Sequence, residues 1–188
     1  SAAWALIGHL RGAGSEAVRM EEAAKGGFCG GQLEGRIDML IIGPAEREAV
    51  LDLKWGGFKY RCAELRDNRQ LQLAVYAVMR KQATTSWPDQ AYFILDEARM
   101  AVQNNNYFNS VSVCAPEEEY ANTQTLWVAF ENTWKWRREQ LDAGRIELNI
   151  EGTEPDEQSQ PQEGALPVAK ASARFDDYIV LTGWTEGA

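Results

Sequence analysis

The stretch Gln32-Leu33-Glu34-Gly35-Arg36-Ile37-Asp38-Met39-Leu40-Ile41-Ile42-Gly43-Pro44-Ala45-Glu46-Arg47-Glu48-Ala49-Val50-Leu51-Asp52-Leu53-Lys54 decides the fold. Two runs rich in Ile, Leu and Val lie on either side of Gly43-Pro44, a turn signal, so residues 32–42 and 49–55 read as the two strands of a β-hairpin. The natural register about that turn pairs Leu40 with Val50 and Ile42 with Glu48, and so sets Asp38 opposite Asp52. Side chains alternate along a strand, so Asp52 and Lys54 share a face.

Directly opposed residues hold their Cβ atoms about 4.5–5.5 Å apart, and two carboxylates at that distance repel unless a cation lies between them. A hard ion such as Mg²⁺ or Mn²⁺ takes oxygen ligands and keeps several waters, so Asp38, Asp52 and the Leu53 backbone carbonyl suffice as its protein ligands. Such an ion activates a water and neutralises charge on a phosphate. Lys54, beside it, is placed to orient or deprotonate the water or to stabilise the pentavalent phosphorus.

Residues 63–82 contain neither Gly nor Pro and carry Leu71, Ala74, Val75 and Val78 at helical spacing, which predicts one amphipathic helix. Gln72 and Tyr76, four apart, share a face flanking that stripe, with Arg69 three residues before Gln72. From there they can hold the metal's surroundings or the scissile phosphate.

Gly35-Arg36-Ile37-Asp38, then Val50-Leu51-Asp52-Leu53-Lys54, then Gln72-Leu73-Ala74-Val75-Tyr76 resembles the RecB-like branch of the PD-(D/E)XK nuclease superfamily. The three motifs stand in order and cover about a quarter of the chain. The resemblance implies a restriction-endonuclease-like core, with Asp38, Asp52 and the Leu53 carbonyl as metal ligands, Lys54 as the catalytic lysine, and Gln72 and Tyr76 as the marks of the branch. It also implies a Mg²⁺- or Mn²⁺-dependent deoxyribonuclease, a RecB-like exonuclease of DNA repair, recombination or defence. DNA is then the partner, together with a helicase, another subunit or the rest of a larger chain.

Two departures stand out. Many relatives carry a His or Glu ligand before the first strand, and His9, Glu16 and Glu22 compete for that place. Others close the fold with an iron–sulfur cluster, and Asp176-Asp177-Tyr178-Ile179-Val180-Leu181-Thr182-Gly183-Trp184 resembles the cysteine-bearing stretch with Asp and Thr where Cys would be. No iron–sulfur cluster is expected.

Working outward, residues 4–24 read as one or two helices broken at Gly12 and Gly14 and ended by Gly26-Gly27. Residues 91–95 and 99–102 read as short strands, and 116–143 as a second long helix with Tyr120, Trp127, Phe130, Trp134 and Leu141 on a packing face and Gly144 as its stop. Glu117-Glu118-Glu119 then supplies acid at that helix's N-terminus. The sum is an α/β fold, a mixed central sheet of about four or five strands flanked by the helices at 63–82 and 117–143. One domain over 1–150 is expected, followed by a flexible acidic linker at 151–170 and a tail at 171–188 that docks back through its aromatic residues.

Composition bounds these readings. The chain is 45% hydrophobic with seven Trp, which excludes a disordered polymer, and no run approaches the ~20 apolar residues of a membrane span. A net charge of −9 excludes a surface that grips nucleic acid everywhere, yet Lys54, Lys59, Arg61, Arg66 and Arg69 cluster against only Glu64 and Asp67. Cys29, Cys62 and Cys114 are far apart and odd in number, which predicts no disulfide framework or zinc knuckle, an ordinary thiol at Cys62 and a cytoplasmic home. The start at Ser1-Ala2-Ala3 lacks secretory-signal order and reads as a cut through a larger protein. The rival readings are a nuclease fold that has lost catalysis and serves as a DNA-binding or protein-docking module, or an acidic interaction domain in which Asp52 and Lys54 merely pair across strands.

Overall fold

The computed structural model describes residues 1–146 and 161–168. It divides into two compact units, Ser1–Trp127 and one that begins at Val128. Most of the expected linker and all of the expected tail lie outside the described residues.

The first unit is built on a six-stranded mixed sheet in the order β1-β2-β3-β4-β5-β6, comprising β1 (Ala17–Phe28), β2 (Gly31–Ile42), β3 (Glu48–Lys54), β4 (Asp89–Ile94), β5 (Arg99–Val102) and β6 (Ser112–Val113). β2 runs antiparallel to both β1 and β3, β3 runs parallel to β4, β5 reverses against β4, and β6 lies parallel to β5. Helix α1 (Ala2–Gly12) packs on one face, against Met39, Ile41, Ala49, Leu51 and Phe93. Helices α2 (Phe58–Arg66) and α3 (Leu71–Thr84) take the other face, where Ile37, Leu40, Val50, Leu65, Leu73 and Tyr92 form the core. Because both faces are covered, β3 reads as the near-continuous apolar run Ala49-Val50-Leu51, whose side chains go alternately to either core.

Residues 17–28 form a strand, not the end of a helix. Met20, Glu22, Ala23, Ala24 and Lys25 favour helix intrinsically, but tertiary pairing along nearly the whole of β2 overrides that preference. Gly26 contributes to this: a Cβ there would stand 2.7 Å from Gln82 Oε1 and 3.4 Å from Met79 Cα, so its absence lets α3 lie close on β1. The Gln82 side chain uses that closeness to bond both the N–H and the carbonyl of Gly27, at 2.7 and 3.0 Å.

The helix expected over 63–82 is two helices. Asn68 takes a left-handed conformation (φ +50°), the Asn68 N–H bonds Leu65 O and the Arg69 N–H bonds Glu64 O, a C-terminal motif that stops α2. The second long helix, α4 (Thr123–Asp142), begins later than 116. Asn122 Oδ1 accepts the Thr125 N–H while Thr125 Oγ1 accepts the Asn122 N–H, each at 3.0 Å, a reciprocal cap that fixes the start. Glu117, Glu118 and Glu119 therefore precede the helix instead of lining its first turn. Of the expected packing face, Trp127 is buried, whereas Tyr120 precedes α4 and is 79% exposed, and Trp134 and Leu141 are about half exposed.

Cys62 and Cys114 are joined by a disulfide with Cα atoms 5.4 Å apart, linking α2 to the residue after β6. The thiol expected at Cys62 does not exist, and the cytoplasmic expectation loses the support it drew from unpaired cysteines. No helix among the described residues is long and apolar enough to cross a membrane.

Candidate active site

Strands β2 and β3 pair in the expected register, with Leu40 opposite Val50 and Ile42 opposite Glu48, but the ladder ends at Met39 and Leu51. One step further, β2 is irregular. Ile37 and Leu40 belong to the core under α2 and α3, whereas Met39 belongs to the core under α1, so the alternation of sides slips at Asp38. Across from Asp38 on β1 stands Glu21, whose φ is +51°, and the pairing of β1 with β2 skips these two residues. The irregularity sets Asp38 apart from the ladder, and its Oδ2 accepts the Leu53 N–H at 2.8 Å. Asp38 is thus tied to the backbone of β3 beside Asp52, and its charge acts on Asp52.

Asp52 is fully buried, yet neither carboxylate oxygen receives a hydrogen bond of good geometry from the described residues. Lys54, on the same face of β3, places Nζ 2.8 Å from Asp52 Oδ2 as an ion pair. The ammonium also donates to Gln72 Oε1 at 3.0 Å, and Gln72 Nε2 donates to the Tyr76 hydroxyl at 3.1 Å. One chain of polar contacts thus runs Asp52, Lys54, Gln72, Tyr76, from the end of β3 onto the first turns of α3. The Tyr76 ring lies over Gly35, where an added Cβ would meet Tyr76 Cε1 and Met79 Cε at 3.5 Å. Burial pushes the Asp52 carboxyl above the usual aspartate range, the close Lys54 ammonium pulls it down, and the charge of Asp38 adds a further upward push.

Two residues at this site were not singled out from sequence. Tyr92 is the parallel-strand register partner of Asp52 and is buried, with its hydroxyl held well above the ordinary tyrosine range by burial. Arg61 on α2 stands with Cζ 5.4 Å from the Tyr92 ring centroid, is ion-paired to Glu64 at 2.6 Å, and favours the ionised form of Asp52. Arg61 was visible only as a member of the basic cluster, and nothing in the local sequence announces which strand lies beside Asp52. Arg69 is not brought in, since it pairs with Asp67 in the turn between α2 and α3. His9 lies on the α1 face, edge-on to Phe93 with centroids 6.4 Å apart, and burial lowers its pKa. Glu22 pairs with Arg19 at 3.2 Å.

The donor set suits a hard divalent ion. The buried Asp52 carboxylate has the Lys54 ammonium at one oxygen and a second carboxylate acting on it, which leaves oxygen lone pairs that a further cation can take. No group of three or more His, Cys, Asp or Glu side chains converges anywhere among the described residues, so an ion here would hold two carboxylates and take its remaining oxygens from backbone and water.

Residues 2–166 match the family described as the PD-(D/E)XK nuclease superfamily, and the chain belongs to it. The six-stranded mixed sheet with its helices is the α/β nuclease-like fold of that family. No curated protein and no solved structure gives a match.

Proposed function

We propose that this chain is a divalent-metal-dependent deoxyribonuclease of the RecB-like branch, an exonuclease serving DNA repair, recombination or defence. The observation that carries the reading is the buried Asp52 carboxylate, acted on by the Asp38 charge and ion-paired to a lysine that is itself held by Gln72. Asp38, Asp52 and the Leu53 carbonyl would hold Mg²⁺ or Mn²⁺, which would supply a polarised phosphate and an activated water. Asp38 is kept in place by the Leu53 N–H. Lys54, oriented by Gln72, presents its ammonium to the water or to the charge that builds on phosphorus. Tyr76 fixes the amide of Gln72 and so the direction in which it meets Lys54. Arg61 adds positive charge beside Asp52 and helps hold it ionised.

The test is hydrolysis of linear DNA with Mn²⁺ against the same reaction in EDTA, for wild type and Asp52→Asn. Cleavage that needs both the metal and Asp52 is expected. Metal-independent cleavage, or cleavage retained by Asp52→Asn, would overturn the reading.

A further inference from the structure

Immediately beyond Lys54 the chain reads Trp55-Gly56-Gly57-Phe58-Lys59-Tyr60, and it sorts its aromatic rings in an unusual way. Phe58 is buried, with the Arg99 guanidinium 3.5 Å from its ring centroid. Trp55 and Tyr60 instead remain 79% and 61% exposed. Scattered exposed apolar residues are ordinary, but two large rings within six residues of the candidate lysine are not scattered.

The backbone under Trp55 is fixed. Its carbonyl accepts the Asp96 N–H at 2.9 Å, and the Lys54 carbonyl accepts the Leu95 N–H at 2.8 Å, so the indole stands on the end of the β3–β4 pair. Tyr60 is tied to the site through one side chain. The Arg61 guanidinium lies 4.9 Å from the Tyr60 ring centroid and 5.4 Å from that of Tyr92, and its charge reaches Asp52. Along α2, Lys59 and Arg66 are exposed and enter no ion pair among the described residues, in a chain whose net charge is −9.

A duplex hides the faces of its bases in the stack and offers a protein only edges and phosphates. An unpaired nucleotide exposes a face that can lie against an aromatic ring, and sequence-tolerant single-strand binding combines such rings with cations for the backbone. We propose that Trp55 and Tyr60 form a base-stacking platform that selects unpaired nucleotides for the site, with Lys59 and Arg66 holding the flanking phosphates. This inference rests on the nuclease reading and names the residues that set its strand preference.

The experiment measures binding and cutting separately. Fluorescence anisotropy in EDTA compares a labelled oligothymidine with a blunt duplex of equal length, and Mn²⁺-dependent cleavage of the same DNAs is followed on the same preparations. The wild type should bind the single strand more tightly. Stacking is worth ~1–3 kcal/mol per base, so Trp55→Ala and Tyr60→Ala should each weaken single-strand binding roughly 5- to 150-fold and duplex binding much less. Trp55→Phe, which keeps a ring, should recover most of the affinity, whereas Trp87→Ala, before β4 at the opposite end of that strand, should leave both affinities unchanged. Lys59→Gln should weaken both DNAs alike. If Trp55→Ala and Tyr60→Ala, shown folded by circular dichroism, keep single-strand affinity or lose both DNAs equally, the platform is refuted, and cleavage by the same samples leaves the nuclease reading standing. If neither DNA is cut while single-strand binding depends on Trp55, the nuclease reading falls and the platform survives.

Discussion

Lys54 Nζ stands 2.8 Å from Asp52 Oδ2, two residues along one strand and on one face of it, with Gln72 Oε1 accepting from the same ammonium. Two roles fit such a pair. In a structural ion pair the lysine neutralises a buried acid, and in a hydrolytic site it serves the reacting phosphate while the acid serves a metal.

Asp38→Asn and Asp52→Asn should each abolish metal-dependent cleavage while leaving the fold intact. Asparagine at 38 still offers an oxygen to the Leu53 N–H, so the backbone tie survives. Removing the Asp38 charge also relieves its repulsion of Asp52 in the metal-free protein, whereas Asp52→Asn trades that relief against the lost ion pair with Lys54. Thermal unfolding in EDTA checks the second point, and a marked loss of stability in either variant would argue that the acid's role is structural.

The pH dependence follows from the direction of the Asp52 shift. Burial, its largest cause, raises the folded-state pKa above the unfolded value, so the metal-free fold is favoured when Asp52 is protonated and loses that contribution as pH rises through the folded pKa. Cleavage needs the opposite form, the carboxylate. At subsaturating Mn²⁺ we therefore predict an acid limb in the rate profile with its midpoint above the ordinary aspartate value of about 3.9. An acid limb at or below that value would contradict the assignment.

Gln72→Ala removes the acceptor that orients Lys54, and Tyr76→Phe removes only the contact behind it. A hydrogen bond of this kind contributes about 0.5–1.5 kcal/mol, so Gln72→Ala should slow cleavage several-fold to about tenfold and Tyr76→Phe less. Single-turnover rates at saturating metal give the order. A larger effect at Tyr76 than at Gln72 would mean that the hydroxyl meets substrate directly.

The disulfide allows a prediction independent of catalysis. It joins residues 52 apart, and a crosslink closing a loop of that size stabilises by roughly 2–4 kcal/mol, chiefly by restricting the unfolded chain. Denaturant titration with and without reductant, or of Cys62→Ala with Cys114→Ala, should show a loss of that order. An unchanged midpoint would show that the two sulfurs are not bonded in solution.

The hairpin register, the shared face of Asp52 and Lys54, and the shared helix face of Gln72 and Tyr76 were legible in the sequence, whereas the contact of Gln72 with Lys54 was not. The first three depend on local periodicity and on a turn marked by Gly43-Pro44. What escaped depends on partners distant in sequence. Met20, Glu22 and Ala23 look helical until β2 is laid beside them. Tyr92 becomes a neighbour of Asp52 only once β4 is known to run parallel to β3. The slip at Asp38, which turns an opposed pair of acids into one tied to Leu53, leaves no periodic trace. The break at Asn68 was open to reading, since Asp-Asn inside an apolar-periodic run is a weak stop signal.

The most direct test of the central claim is single-turnover cleavage of end-labelled linear DNA by Lys54→Met, with Mn²⁺ affinity measured on the same protein. Methionine keeps the length and apolar stem but not the charge. If Lys54 serves the chemistry, Mn²⁺ and DNA still bind and cleavage falls at least about a hundred-fold, since such a group is worth ~10²–10⁴ in rate. If Lys54 is only the cation of an ion pair, the variant loses stability and cuts DNA at the wild-type rate, a result that would contradict the account.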